Sequence, residues 1–127
     1  MSDPVPRPFD RLRDLLRTQL AVESLAVSAE ARQYWFGENA AAYAEIDVRR
    51  GDDFVVAVVR GTWPDDDFIV GVWHHHAPEV WVVDTVDLTV TRVLRDGTGD
   101  VLGTAHTLSS PQLPGVSIPV ASLFTSS

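Results

Sequence analysis

Lysine is absent from this chain, and all ten of its basic residues are arginine. Cysteine is absent as well, which rules out disulfides and thiolate-held metal sites. No apolar run approaches the ~18 residues of a membrane-spanning helix. The opening MSDPVPRPFDRLRD has no apolar core of the secretory-signal kind. The expectation is a cytoplasmic protein with no membrane partner. Positive charge is scarce: 10 basic residues face 18 acidic ones, for a formal net charge of −8. An acidic surface repels a phosphate backbone, which argues against a protein that coats DNA. It argues less against a metal-dependent enzyme, whose carboxylates bring a cation to the phosphate. A glycine-rich phosphate loop, a Gly-x-Ser-x-Gly elbow and internal repeats are also missing.

What is there, 127 residues at 45% hydrophobic and 22% charged, suits a single domain over residues 1–127 with one real core. PFDRLRDLLRTQL puts Leu12, Leu15, Leu16 and Leu20 on one stripe, with Arg11, Asp14 and Arg17 away from it. That spacing predicts a helix over residues 9–20. ESLAVSAEARQYW alternates, with Leu25, Val27, Ala29 and Ala31 opposite Ser28, Glu30 and Arg32, which predicts a strand with one wet face. GENAAA interrupts the pattern. YAEIDVR and DDFVVAVVR then read as two strands joined at RGDD, the second apolar on both faces and therefore central.

In TWPDDD, Pro64 suits a first helical turn, and Asp65, Asp66 and Asp67 complement the helix dipole. A helix is predicted over residues 66–76, ending before Pro78. EVWVVD, DLTVTRVLRDG and VLGTAHTL read as further strands. SSPQLPGVSIPVASLF reads as a proline-punctuated strand with a short terminal turn. The order predicts an α/β protein, a mixed β-sheet with flanking helices.

Two separated stretches carry a family likeness. Pro78, Glu79, Trp81, Val82, Val83 and Asp84 form the first. Leu108, Ser110, Pro111, Leu113, Pro114, Gly115, Pro119, Leu123 and Phe124 form the second. Together they resemble the C-terminal half of the Uma-two family of restriction-endonuclease-like proteins, within the PD-(D/E)XK nuclease superfamily. The likeness covers residues 44–124 and is loose before them. Family members usually carry a longer N-terminal part, so this chain looks shortened. The resemblance implies a restriction-endonuclease-like fold and a homodimer.

It also implies a chemistry. An Asp ending one strand and a Glu in the next would hold Mg²⁺ or Mn²⁺, and a nearby Lys would orient the attacking water. Asp47 falls at the Asp position. Ala57 falls at the Glu position, and Ile69 at the Lys position when Trp73 is taken as the aromatic that follows it. Two of the three groups are apolar here, so the chain looks degenerate.

Each candidate residue also has a plainer role. Asp47 is either a relic metal ligand or a strand-end acid facing solvent or capping a turn, and Glu45, two residues earlier, would share its strand face. Arg60 either replaces the lost cation or pairs with Asp65, Asp66 or Asp67. His74, His75 and His76 cannot converge on one ion from consecutive helical positions, although a helix C-terminus favours their charged form. His106 reads as surface or packing. Trp63, Trp73 and Trp81, clustered at the helix–strand junction, read as core, or else as an exposed aromatic patch for a partner or a flat ligand.

Three functions follow. The first is a nuclease-fold protein that no longer cuts and acts by binding, self-association or regulation, without a cofactor. The second is a DNA endonuclease whose metal site has migrated to Glu45 and Asp47, with a histidine as a further candidate. The third is a small-molecule enzyme using the vacated cleft lined by Ala57, Arg60, Ile69 and Trp73, in which case a closed apolar pocket is expected.

Overall fold

The computed structural model describes residues 8–20, 25–28, 30–36 and 41–124. The leucine stripe forms helix α1 (Pro8–Gln19), with Phe9, Leu12 and Leu16 buried. Strands β4 (Ile46–Arg50) and β5 (Asp53–Arg60) make the expected hairpin. Its turn uses Gly51 at φ 61, a left-handed conformation that glycine adopts without steric cost. Helix α2 (Asp67–His74) follows β5 and leads to β6 (Glu79–Asp84), which pairs parallel with β5. Strands β7 (Thr89–Leu94) and β8 (Gly99–Leu102) add antiparallel. With the two-residue β1 (Ala26–Val27), these make a six-stranded sheet in the order β1-β4-β5-β6-β7-β8. β5 and β6 lie at its centre, and every residue of β6 is buried. This explains why both strands read as nearly continuous apolar runs.

Each sheet face carries its own core. On the first face, α1 packs with Ile46, Val48, Val56, Val58, Trp81 and Val83. The hairpin of β9 (Thr107–Ser110) and β10 (Leu113–Pro119) covers the same face, together with α3 (Ala121–Phe124). On the second face, α2 packs with Ala57, Val59, Val80, Val82 and Val93. The ribbon of β2 (Arg32–Trp35) and β3 (Ala41–Ala44) completes that side.

Four expectations are corrected. The single strand predicted over residues 23–35 is divided: β1 keeps two residues, and Arg32–Trp35 pairs instead with Ala41–Ala44; residues 23, 24 and 29 lie outside the described residues. YAEIDVR is two strands in two sheets, broken by a bend at Glu45. VLGTAHTL is likewise divided between β8 and β9, with a turn between them. Leu88 belongs to the turn before β7 and not to the strand. In each case an alternating pattern ran across a change of direction that alternation alone does not encode.

Candidate functional site

Asp47 on β4 lies directly opposite Ala57 on β5, Ala57 is level with Val80 on β6, and Val80 with Val93 on β7. Ala57, Val80 and Val93 belong to the second core, so Asp47 heads an otherwise apolar row. Its carboxylate is fully buried. The solvent-facing alternative for Asp47 is therefore corrected: the ribbon of β2 and β3 covers what would be a wet strand face.

Burial of a carboxylate demands partners. The Tyr34 hydroxyl, reaching over from β2, donates to Asp47 Oδ2 at 2.6 Å. Arg49 Nε lies 3.3 Å from Oδ1, although Oδ1 receives no aligned hydrogen bond. The Asp47 amide donates to Ser28 Oγ at 2.9 Å. Burial, and next the hydrogen bond to Asp47, push the Tyr34 phenol above its ordinary pKa and keep it a donor.

The positions expected to line a cleft are distributed differently. Ala57 and Trp73 are both fully buried, and Ile69 packs against the same cluster. Aromatic rings fill the space. Tyr34 meets Trp73 edge-on at 5.6 Å and Phe54 at 5.2 Å, and Phe36 meets Trp73 at 5.4 Å. Trp73 Nε1 donates to the Tyr43 carbonyl at 3.0 Å. Offset and edge-on contacts of this kind add to the area the rings bury.

Arg60 is elsewhere. It sits over the Phe9 ring at 5.1 Å, beside α1, with Nε 3.9 Å from Glu45 Oε1. The expected pairing with Asp65, Asp66 or Asp67 is thus replaced by one with Glu45. Asp66 instead accepts the Thr62 amide at 2.6 Å.

Glu45 also accepts the Tyr43 hydroxyl at 3.0 Å and lines a cavity of about 260 Å³ with Phe9, Asp10, Arg13 and Arg60. Asp47 is not in that lining. Mg²⁺ takes about six oxygen ligands, whereas the side chains on the Asp47 carboxylate supply one further oxygen and a guanidinium. Among the described residues no group of three His, Asp or Glu side chains is placed to hold a metal ion.

The three histidines diverge: α2 ends at His74, two residues before the predicted end, and His75 and His76 lie in the turn that follows. His74 Nε2 contacts the Val93 carbonyl at 3.1 Å, His75 lines a surface groove with Phe68 and Val72, and His76 stacks on Phe36 at 3.6 Å. Desolvation, and next the charge on His75, hold His76 below its ordinary pKa. His106 is exposed, and its Nδ1 accepts the Gly103 amide at 3.1 Å. The tryptophans divide: Trp63 and Trp73 belong to the second core, Trp81 to the first.

Three polar residues escaped sequence reasoning. Tyr34 lies 13 positions from Asp47, in the ribbon whose pairing was not foreseen; the aromatic run Tyr34, Trp35, Phe36 was its one signal. Glu79 is fully buried on the first face, where Trp81 Nε1 donates to its Oε2. The spacing of two on a strand was legible, but its burial was not. Asp84 Oδ1 accepts the Val86 and Asp87 amides, both at 2.9 Å, and those bonds hold its pKa low.

No family model matches the sequence, and no curated protein matches it. Among solved structures, one neighbour is a crystal structure from Anabaena variabilis ATCC 29413, described as "a putative nuclease belonging to DUF820". It superposes with a TM-score of 0.69 over 98% of this chain and 84% of that one, at 12% identity. The fold is nuclease-like. DUF820 is the Uma-two family, so the neighbour agrees with the likeness carried by the two C-terminal stretches. At this identity the agreement concerns the fold alone, which in this chain is a mixed sheet with a parallel β5–β6 pair and helices on both faces. A similar fold does not carry a reaction with it.

Proposed function

We propose that this chain is a nuclease-fold protein that has given up metal-dependent cleavage and acts by binding, as a self-associating or regulatory protein. The observation that carries this reading is the neighbourhood of Asp47. The paired position opposite is Ala57, one carboxylate oxygen is taken by the Tyr34 hydroxyl, and the Arg49 guanidinium lies beside the other. A carboxylate bonded in this way is a structural group. A divalent cation in its place would lie against Arg49 and lack a second carboxylate.

Ala57 and Trp73 are both fully buried in one core with the aromatic cluster packed against it, so a small-molecule site at that position has no supporting observation. A migrated site at Glu45 and Asp47 has none either, because Glu45 is engaged with Tyr43 and Arg60.

Incubation of supercoiled plasmid and single-stranded DNA with the protein and Mg²⁺ or Mn²⁺ tests the proposal. Intact DNA is expected. Cleavage that Asp47→Ala or Glu45→Ala abolishes would overturn it.

A further inference from the structure

A cavity of about 260 Å³ lies where the first turns of α1 meet the end of β5. Separate stretches of the chain build it: Phe9, Asp10 and Arg13 of α1, Glu30 ahead of β2, Glu45 at the bend between β3 and β4, and Arg60 ending β5. Its volume is near the lower end for small-molecule sites, roughly 300–1,000 Å³, and suits a group of a few heavy atoms.

Charge selects the occupant. The lining carries three carboxylates and two guanidiniums. Asp10 and Arg13 are spent on each other at 3.0 Å, and Arg13 also donates to the Glu45 carbonyl at 2.9 Å. With its Nε buried and its side chain 11% exposed, that guanidinium serves the fold rather than a ligand. Glu30, Glu45 and Arg60 remain. Glu30 is exposed and has no ion-pair partner among the described residues. Glu45 is 16% exposed, and its contacts from Tyr43 and Arg60 both fall on Oε1, leaving Oε2 without one. The surplus is one negative charge, on a chain of net charge −8 whose field draws cations. An anion entering here would meet all three carboxylates.

Arg60 shows which cation fits. Its guanidinium lies 5.1 Å over the Phe9 ring, with Nε 3.9 Å from Glu45, at the limit of an ion pair. Aromatic faces attract planar cations of this kind. Arg60 is loosely held: its side chain is 52% exposed, and among the described residues no hydrogen bond fixes its terminal nitrogens.

We propose that this cavity binds a guanidinium-bearing ligand, whose head group takes the place of the Arg60 guanidinium over Phe9 and pairs with Glu45 and Glu30. Arg60 is then a built-in competitor that swings to solvent as the ligand enters. The site lies apart from Asp47, which does not line it. It rests on the binding reading above and gives that reading a ligand class.

Titration of the isotope-labelled protein with millimolar methylguanidinium chloride, read by amide NMR shifts, tests this, with sodium acetate as the anionic counterpart. Saturable shifts are expected at Phe9, Arg13, Glu45 and Arg60 with methylguanidinium and not with acetate. Glu45→Gln keeps an acceptor for the Tyr43 hydroxyl but loses the charge, and should weaken binding at least ~10-fold. Glu30→Gln, at an exposed position, should weaken it as well. Arg60→Ala should tighten it ~3-fold, the scale of the ring contact that Arg60 gives up. Agmatine and acetyl-Gly-Arg-Gly-amide distinguish the sources of the head group. Tighter binding of agmatine assigns it to a free small molecule, and tighter binding of the peptide to an arginine side chain of a partner; either order supports the site.

No saturable shift at these amides, acetate binding in place of the cation, or binding that survives both glutamate substitutions overturns the assignment. The loss of cleavage would still stand, since the DNA incubations test it separately. Weaker binding in Arg60→Ala overturns the exchange with Arg60, and with it the seat over Phe9.

Discussion

Asp47 and Ala57 face one another across β4 and β5, a buried carboxylate opposite a methyl group. On this pairing the proposed loss of metal chemistry turns, and its energetic consequences are measurable.

Tyr34→Phe removes the hydrogen bond to Asp47 Oδ2 and leaves a buried carboxylate oxygen without its donor. The expected cost is ~1.5–3 kcal/mol in urea unfolding, the range for bonds to charged groups. The pH dependence has a definite sign. The Tyr34 pKa is raised in the fold above its ordinary 10.0. Its contribution is therefore complete below pH 10 and is lost as pH rises through the folded value. Wild-type stability should fall on the alkaline side, and Tyr34→Phe should flatten that fall.

Ala57→Glu rebuilds the missing acid in sequence alone. In the structure it sets a second carboxylate opposite Asp47, in a row completed by Val80 and Val93. Like charges in a buried site are costly, and the expected loss is ~3–5 kcal/mol, the scale of an uncompensated buried charge. Millimolar Mg²⁺ should not recover it. Chemical denaturation with and without the cation reads both effects.

The two buried tryptophans should differ in how they fail. Trp73→Ala empties the centre of the aromatic cluster, with an expected cost of ~3–5 kcal/mol. Trp81→Phe keeps most of the volume but strips Glu79 of the Nε1 donor to its Oε2. The expected cost is ~1–3 kcal/mol, the penalty for leaving a buried polar group unpaired. Trp81→Phe in a Glu79→Met background should cost less than in the wild type, which a double-mutant cycle measures.

Asp84 governs the acid side. The Asp87 amide is the main cause of a pKa below the ordinary 3.8; burial opposes it, and the Val86 amide and the Thr62 hydroxyl add to the lowering. A depressed carboxylate pKa stabilises the fold above its unfolded value, and that part is lost as pH falls through the folded one. Asp84→Asn should lower stability at neutral pH and weaken its dependence on acid below about pH 4.

The parts of this fold that were legible share a physical basis. The leucine stripe of α1 and the apolar runs of β5 and β6 are periodic signals imposed by burial on one face or on both. The site was legible only as positions. The resemblance assigns Asp47, Ala57 and Ile69 to the positions of a nuclease pattern, but the sequence could not say what lies over them. That depends on β2 and β3, a ribbon held by contacts far along the chain, with Tyr34, Phe36 and Phe54 closing on Trp73. The bend at Glu45 was hidden for the same reason. Alternation continued through it, while the strands on either side joined different sheets.

The most direct test of the central claim is isothermal titration of the wild type with Mn²⁺, beside Asp47→Ala. The account predicts no heat of binding from either protein at millimolar metal, because the Asp47 carboxylate is committed to Tyr34 and Arg49. Binding by the wild type that disappears in Asp47→Ala would contradict it and return this carboxylate to metal chemistry.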